Sequence, residues 1–174
     1  MKHILLLSLL ILILASSSTA QKMIGYGGEL SVISFKPNVR LWISKTTGFE
    51  VFGGIASELD NFKPNDVEAG FKFLHTIIYK RNDRTYFGFV GKWKWVDVTN
   101  PNITTNLPIP GIFVGREWYS KRINRKGFAI ELGYQYGSKT YDIYNSVHVK
   151  NGTEIYTEFP LILNLRYSFY QLRK

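Results

Sequence analysis

The sequence predicts an all-β fold, an eight-stranded antiparallel up-and-down transmembrane β-barrel, from three observations. An export signal opens the chain, the remainder alternates apolar with polar residues at period two, and the connections between alternating segments sort by length. The 174 residues are 45% hydrophobic and 16% aromatic, which points to one ordered domain rather than disorder. Cysteine is absent, so disulfide frameworks, thiol catalysis and Cys-bound zinc are excluded.

At the N-terminus Lys2 and His3 precede an apolar run from Ile4 to Leu14, interrupted only by Ser8, and then Ala15-Ser16-Ser17-Ser18-Thr19-Ala20. That is the layout of a secretory signal peptide over 1–20, cleaved after Ala20, and it leaves a barrel domain over 21–174. The apolar run is far shorter than the roughly 20 residues a membrane-crossing helix needs. No later stretch reaches that length, so a chain of this kind enters a bilayer only as a closed sheet. The formal charge of +9 would favour nucleic acid in another compartment, but export removes that partner.

Eight strands are expected at 24–35, 39–45, 49–57, 67–79, 85–98, 110–121, 127–139 and 155–170. In the first three the polar phase carries Glu29, Arg40 and Glu50. In the fourth, Val67, Ala69, Phe71 and Phe73 alternate with Glu68, Gly70, Lys72 and Leu74. The fifth sets Phe87, Phe89, Gly91, Trp93 and Trp95 against Gly88, Val90, Lys92 and Lys94. In the sixth, Arg116 is assigned to the polar face, although it and Glu117 cannot both point inward without a bulge. The seventh has Phe128, Ile130, Leu132, Tyr134 and Tyr136 on one side, with Ala129, Glu131, Gly133 and Gln135 on the other. The eighth alternates Phe159, Leu161, Leu163, Leu165, Tyr167 and Phe169 with Pro160, Ile162, Asn164, Arg166 and Ser168.

The connections after strands two, four and six are short: Thr46-Thr47-Gly48, Lys80 to Arg84, and Arg122 to Lys126. Glu58–Asp66, Thr99–Ile109 and Thr140–Glu154 are long, and only the first connection, at Lys36-Pro37-Asn38, breaks the alternation. A barrel whose ends face different compartments sorts its connections this way. Aromatics gather at the strand ends. Tyr79, Tyr86, Phe87, Tyr119, Phe128, Tyr167 and Phe169 are expected at one rim, and Phe35, Trp93, Trp95, Tyr134, Tyr136 and Phe159 at the other. His75 falls on the apolar phase, which requires a bulge near Leu74-His75 or a place close to an interface. Pro160, without an N–H, belongs outside the ladder.

With its export signal, eight alternating strands and the terminal pattern Leu161-x-Leu163-x-Leu165-x-Tyr167-x-Phe169, the chain resembles the small bacterial outer-membrane β-barrels, the group containing the OmpA membrane domain and OmpX. The resemblance implies an outer-membrane location, short turns on the periplasmic side and long loops outside. It also implies that Leu163, Leu165, Tyr167 and Phe169 form a C-terminal assembly signal for the barrel assembly machinery.

A barrel of eight strands has room only for its own side chains. Glu29, Arg40, Glu50, Glu68, Lys72, Lys92, Arg116, Glu131 and Arg166, with Lys94, Gln135 and Asn164, are therefore expected to form an interior ion network. A narrow ion path through it is the alternative. Asp142, Ser146 and His148 share the last long loop but match no catalytic arrangement, and His75 is followed by Thr76 and Ile77 rather than by a serine at the next-but-one position. Gly91-Lys92-Trp93 matches a lipocalin tripeptide, but on the fifth strand rather than the first. The expectation is a monomeric, non-enzymatic envelope protein in the lipid bilayer of the outer membrane, with no metal or cofactor. Its extracellular loops would meet a partner that the sequence does not specify. The alternatives are a secreted soluble lipocalin-like barrel for an apolar ligand and an outer-membrane lipid-modifying enzyme.

Overall fold

Period-two alternation builds strands, and in the computed structural model, which describes residues 22–32, 34–56, 66–98, 103–120, 125–144 and 150–173, the strands close on themselves. In chain order they are β1 (Lys22–Ser31), β2 (Ser34–Trp42), β3 (Thr47–Ala56), β4 (Asp66–Tyr79), β5 (Asp83–Val98), β6 (Ile103–Tyr119), β7 (Arg125–Gln135), β8 (Ser138–Tyr144), β9 (Lys150–Thr157) and β10 (Leu161–Arg173). Eight of them form a closed antiparallel barrel in the order β1-β10-β7-β6-β5-β4-β3-β2, while β8 and β9 form a separate two-stranded sheet. The seam between first and last strands runs from Lys22↔Arg173 to Ser31↔Asn164, so no edge remains along it. Among the described residues no helix is long and apolar enough to cross a membrane.

Several connections differ from the sequence expectation. Lys36-Pro37-Asn38 is no turn but lies inside β2, and the chain reverses between Ser31 and Ser34. The β2–β3 ladder lacks bridges at Lys36 and Pro37, where the proline has no N–H to give. Thr99–Ile109 is largely strand, because β5 and β6 pair continuously from Asp83↔Trp118 to Val98↔Ile103. Pro108 and Pro110 are tolerated there for a reason of parity. The Pro110 carbonyl accepts from Tyr136 N–H at 3.0 Å on the β7 side, so the nitrogens of both prolines face the flank on which the β6–β7 ladder begins only at Gly111. The last long loop contains the β8–β9 hairpin, and Thr157 to Leu161 is a connection rather than strand, with Pro160 in it. Residues 1–21, and with them the proposed signal peptide, lie outside the described residues, as does most of Glu58–Asp66.

The two sides of the wall are distinct. Phe71, Leu132 and Leu163 are 49%, 57% and 43% exposed, whereas Glu131 and Arg166 are 0% and 1% exposed. His75 keeps the outward phase, its ring 5.3 Å from that of Phe87, and the bulge falls between Thr76 and Ile78. Two of the expected rim aromatics point the other way. Tyr86 is fully buried, and Tyr119 packs against the interior cluster, with its ring 6.1 Å from that of Tyr170. Strict alternation accounts for both, since Phe87 and Trp118 beside them face out.

The wall is also closely packed at its glycines. A Cβ on Gly133 would stand 2.1 Å from the Ile112 carbonyl oxygen, whereas one on Gly53 would meet nothing nearer than 3.7 Å. Gly133→Ala is therefore expected to cost about 1–3 kcal/mol through overpacking, and Gly53→Ala less than about 1 kcal/mol. Urea unfolding of the refolded chain, followed by far-UV circular dichroism, measures both.

Candidate functional site

Antiparallel register decides which inward side chains face each other. It sets Lys36 of β2 opposite Glu29 of β1, and Glu29 in turn opposite Arg166 of β10. A second row runs Arg40↔Glu50↔Lys72 across β2, β3 and β4, and Glu68 of β4 lies opposite Lys94 of β5. Opposite charges thus alternate around the inner wall at cross-strand distance, where such pairs stabilise a sheet.

The centre of the lumen is Glu131. Its Oε1 accepts from Arg40 Nη2 at 2.6 Å and from the Tyr86 hydroxyl at 2.8 Å. Its Oε2 accepts from Lys72 Nζ at 2.6 Å and Asn164 Nδ2 at 3.3 Å. Arg40 also donates through Nε to Glu50 at 2.5 Å and through Nη1 to the Tyr86 hydroxyl at 2.9 Å. Lys72 completes its shell with Glu29 and with Glu50 Oε1, 3.1 Å away.

Towards the short turns, Arg166 pairs with Glu117 and reaches Glu50 at 3.4 Å. The Tyr170 hydroxyl accepts from Arg166 at 2.7 Å and donates to Glu117. Below them the Arg84 guanidinium lies 3.8 Å from the Trp42 ring centroid and 4.8 Å from that of Tyr119, a cation–π stack across the turn-side mouth. Towards the long loops, Lys92 Nζ donates to Glu68 at 2.9 Å and to Glu158 at 3.2 Å. Lys94 Nζ joins Glu158 at 3.1 Å and Asp66 at 3.0 Å. Glu158 comes from the β9–β10 connection, whose backbone is held by Glu158 N–H donating to the Gly137 carbonyl at 2.8 Å.

Among the described residues the buried charged side chains balance in number. Lys36, Arg40, Lys72, Arg84, Lys92, Lys94 and Arg166 are seven cations; Glu29, Glu50, Asp66, Glu68, Glu117, Glu131 and Glu158 are seven acids. Between the central and loop-side groups is a void of about 30 Å³, bordered by Lys36, Lys72, Lys92, Gln135, Glu158 and Asn164. That is room for one or two waters and no ligand.

Of the residues assigned to the interior network from sequence, Glu29, Arg40, Glu50, Glu68, Lys72, Lys92, Glu131 and Arg166 are brought together in the lumen. Arg116 is not. It faces outward in phase with Ile112 and Val114, its side chain 50% exposed and its Nη2 3.6 Å from Asp83; Glu117 takes the inward place. No bulge is needed, because the strand keeps strict alternation from Phe113 through Gly115 to Glu117. The network also uses Lys36, Arg84, Glu158, Tyr86 and Tyr170, which sequence reasoning left out. All share the phase of residues it did place inward, and that phase was the available signal. Leu163, Leu165, Tyr167 and Phe169 form an outward row on β10. Ser146 and His148 lie outside the described residues.

The sequence matches no protein-family model and no curated protein. The structure is similar to the crystal structure of the N-terminal β-barrel domain of Pseudomonas aeruginosa OprF, with a TM-score of 0.56 and 11% identity over 87% of this chain and 97% of that one. The likeness establishes the fold.

Removing one carboxylate from a buried network strands its cations. Glu131→Gln is expected to destabilise the barrel by about 3 kcal/mol, and adding Lys72→Met should recover part of that loss. Arg116→Gln should stay within about 0.5 kcal/mol of the parent in the same urea titration.

Proposed function

We propose that the chain is an integral outer-membrane β-barrel without enzymatic activity, which meets other molecules through the structures at its loop end. The supporting observation is the reversal of the usual solvent order: among the described residues, large hydrophobic side chains from all eight barrel strands are exposed around the wall, while fourteen charged ones are buried inside it. In water such a belt is an aggregation surface far larger than monomers carry. Against hydrocarbon it carries no penalty, and closure of the barrel pairs the first strand with the last along the wall.

Aromatic side chains border the belt, with Phe35, Trp93, Trp95, Tyr134 and Tyr136 exposed towards the loops and Tyr79, Trp118, Phe128, Tyr167 and Phe169 towards the turns. Amphipathic rings at these two levels suit the two membrane interfaces. A soluble lipocalin-like barrel would need the opposite arrangement, an apolar interior around a ligand-sized cavity. Export by the 1–20 signal peptide, turns in the periplasm and loops outside the cell follow as one orientation. The β5–β6 and β8–β9 hairpins would then be the contact surfaces for envelope components or outside partners, with the chain acting as a monomer. In this proposal Leu163, Leu165, Tyr167 and Phe169 are read by the barrel assembly machinery, and no nucleic acid or cofactor takes part.

Two measurements test this. The mature chain should fractionate with outer membranes and migrate faster on gels unheated than boiled; recovery in the soluble fraction would overturn the proposal. Leu132→Arg, in the apolar belt, should destabilise the barrel in bilayers by about 2–4 kcal/mol. In a soluble barrel the same exposed substitution would be nearly neutral.

A further inference from the structure

The outward wall is not uniform. On β5, β6 and β7 a groove of about 420 Å³ runs between Phe87, Phe89, Ile112, Val114, Leu132 and Tyr134. A neighbouring hollow of about 480 Å³ shares Phe89, Ile112 and Tyr134 with it and extends to Pro110 and Tyr136. The hollow exists because Gly91 supplies no side chain on the outward phase between Phe89 and Trp93. Together they form one furrow along β6 from Pro110 towards Arg116.

Beyond the furrow, on the same outward face of β6, stands a cation. Arg116 is the next outward residue after Val114 and lies opposite Ile130 of β7. Its guanidinium is 5.4 Å from the Trp118 ring, which stacks on Phe128 with centroids 6.1 Å apart. Asp83 engages Arg116 only at 3.6 Å through one nitrogen, and the side chain is half exposed, so most of its five donors remain available. Lys126 follows on β7, towards the turn, 5.9 Å from the Phe169 ring. Among the described residues every exposed charged side chain, Lys45, Lys80, Arg81, Arg116 and Lys126, is a cation at the turn end.

The seven residues from Pro110 to Arg116 span about 20 Å of strand. At a tilt of about 45° that is roughly 14 Å along the normal, from the level of the Tyr134 and Tyr136 rings down to Arg116. We infer, on the membrane reading above, that the outward face of β5–β7 is a binding site for an anionic glycerophospholipid of the turn-side leaflet, its acyl chain in the furrow and its phosphate at Arg116. A planar guanidinium matches phosphate oxygens in pairs, and the Trp118–Phe128 stack beside it suits the glycerol level of the interface.

The test uses the mature chain, released for native mass spectrometry from detergent micelles holding equal amounts of phosphatidylglycerol and phosphatidylcholine with the same acyl chains. Phosphatidylglycerol should be retained several-fold over phosphatidylcholine. Arg116→Gln should lower that ratio about fivefold. Leu132→Trp, which fills the furrow, should lower retention of both lipids without changing their ratio, and Lys45→Gln, at the same rim but away from the furrow, should change neither. All variants are checked for heat-modifiable migration, so that a failure to fold is not read as a loss of binding. Equal retention of the two lipids by the folded parent, or an equal loss in Lys45→Gln and Arg116→Gln, overturns the site and leaves the membrane barrel standing. A dimer that Leu132→Trp dissociates would assign the furrow to a second copy and overturns it too. A parent chain that never enters vesicles removes both inferences together.

Discussion

Among the described residues, fourteen ionisable side chains share the interior of a barrel too narrow to hydrate them, and the rest of the structure follows from having to pair each one. Glu131 carries the greatest share. It sits where cations from β2 and β4 converge with the Tyr86 hydroxyl of β5 and the Asn164 amide of β10, so a single carboxylate ties together strands from both sides of the lumen. Lys72 extends the tie to Glu29 on β1 and Glu50 on β3. Such a network fixes register as well as energy. A slip of one residue in any strand would turn its charges to the outside and bring apolar groups in.

The two ends of the lumen are closed by different chemistry. At the turn end, Arg84 lies over the Trp42 ring and near Tyr119, on the turn side of the Arg166–Glu117–Tyr170 cluster. At the loop end, the chain after β9 folds back and lowers Glu158 between Lys92 and Lys94. The first closure is built from strand residues and belongs to the barrel itself. The second is carried by the connection that leads from the β8–β9 hairpin into β10.

Three asymmetries run along the same axis. Short connections, exposed cations and the Trp118–Phe128 stack are at one end; the extended β5–β6 hairpin, the β8–β9 sheet and the Trp93, Trp95, Tyr134 and Tyr136 aromatics are at the other. Among the described residues the buried acids and cations are equal in number, whereas the exposed charged side chains are cations. An interior of balanced charge, an apolar middle and one cationic rim give the molecule a direction, and the furrow on β5–β7 points along it towards Arg116.

Alternation was enough to read most of the wall, because each strand separates two environments that differ sharply, and period two records that difference directly in the sequence. The barrel, its eight strands and the inward places of Glu29, Glu50, Lys72, Glu131 and Arg166 were legible for that reason. The β8–β9 hairpin was not. It forms a sheet of its own apart from the barrel, and Asn151-Gly152, a common turn dipeptide, lies inside β9. Parity also fixes only the side of the wall, not the neighbour. That Arg40, Lys72 and Tyr86 meet on one carboxylate, that Glu158 is lowered into the mouth and that Arg116 borders a furrow depend on strand register and closure. These bring together residues as far apart as Arg40 and Glu131, a relation that no local window of the chain contains.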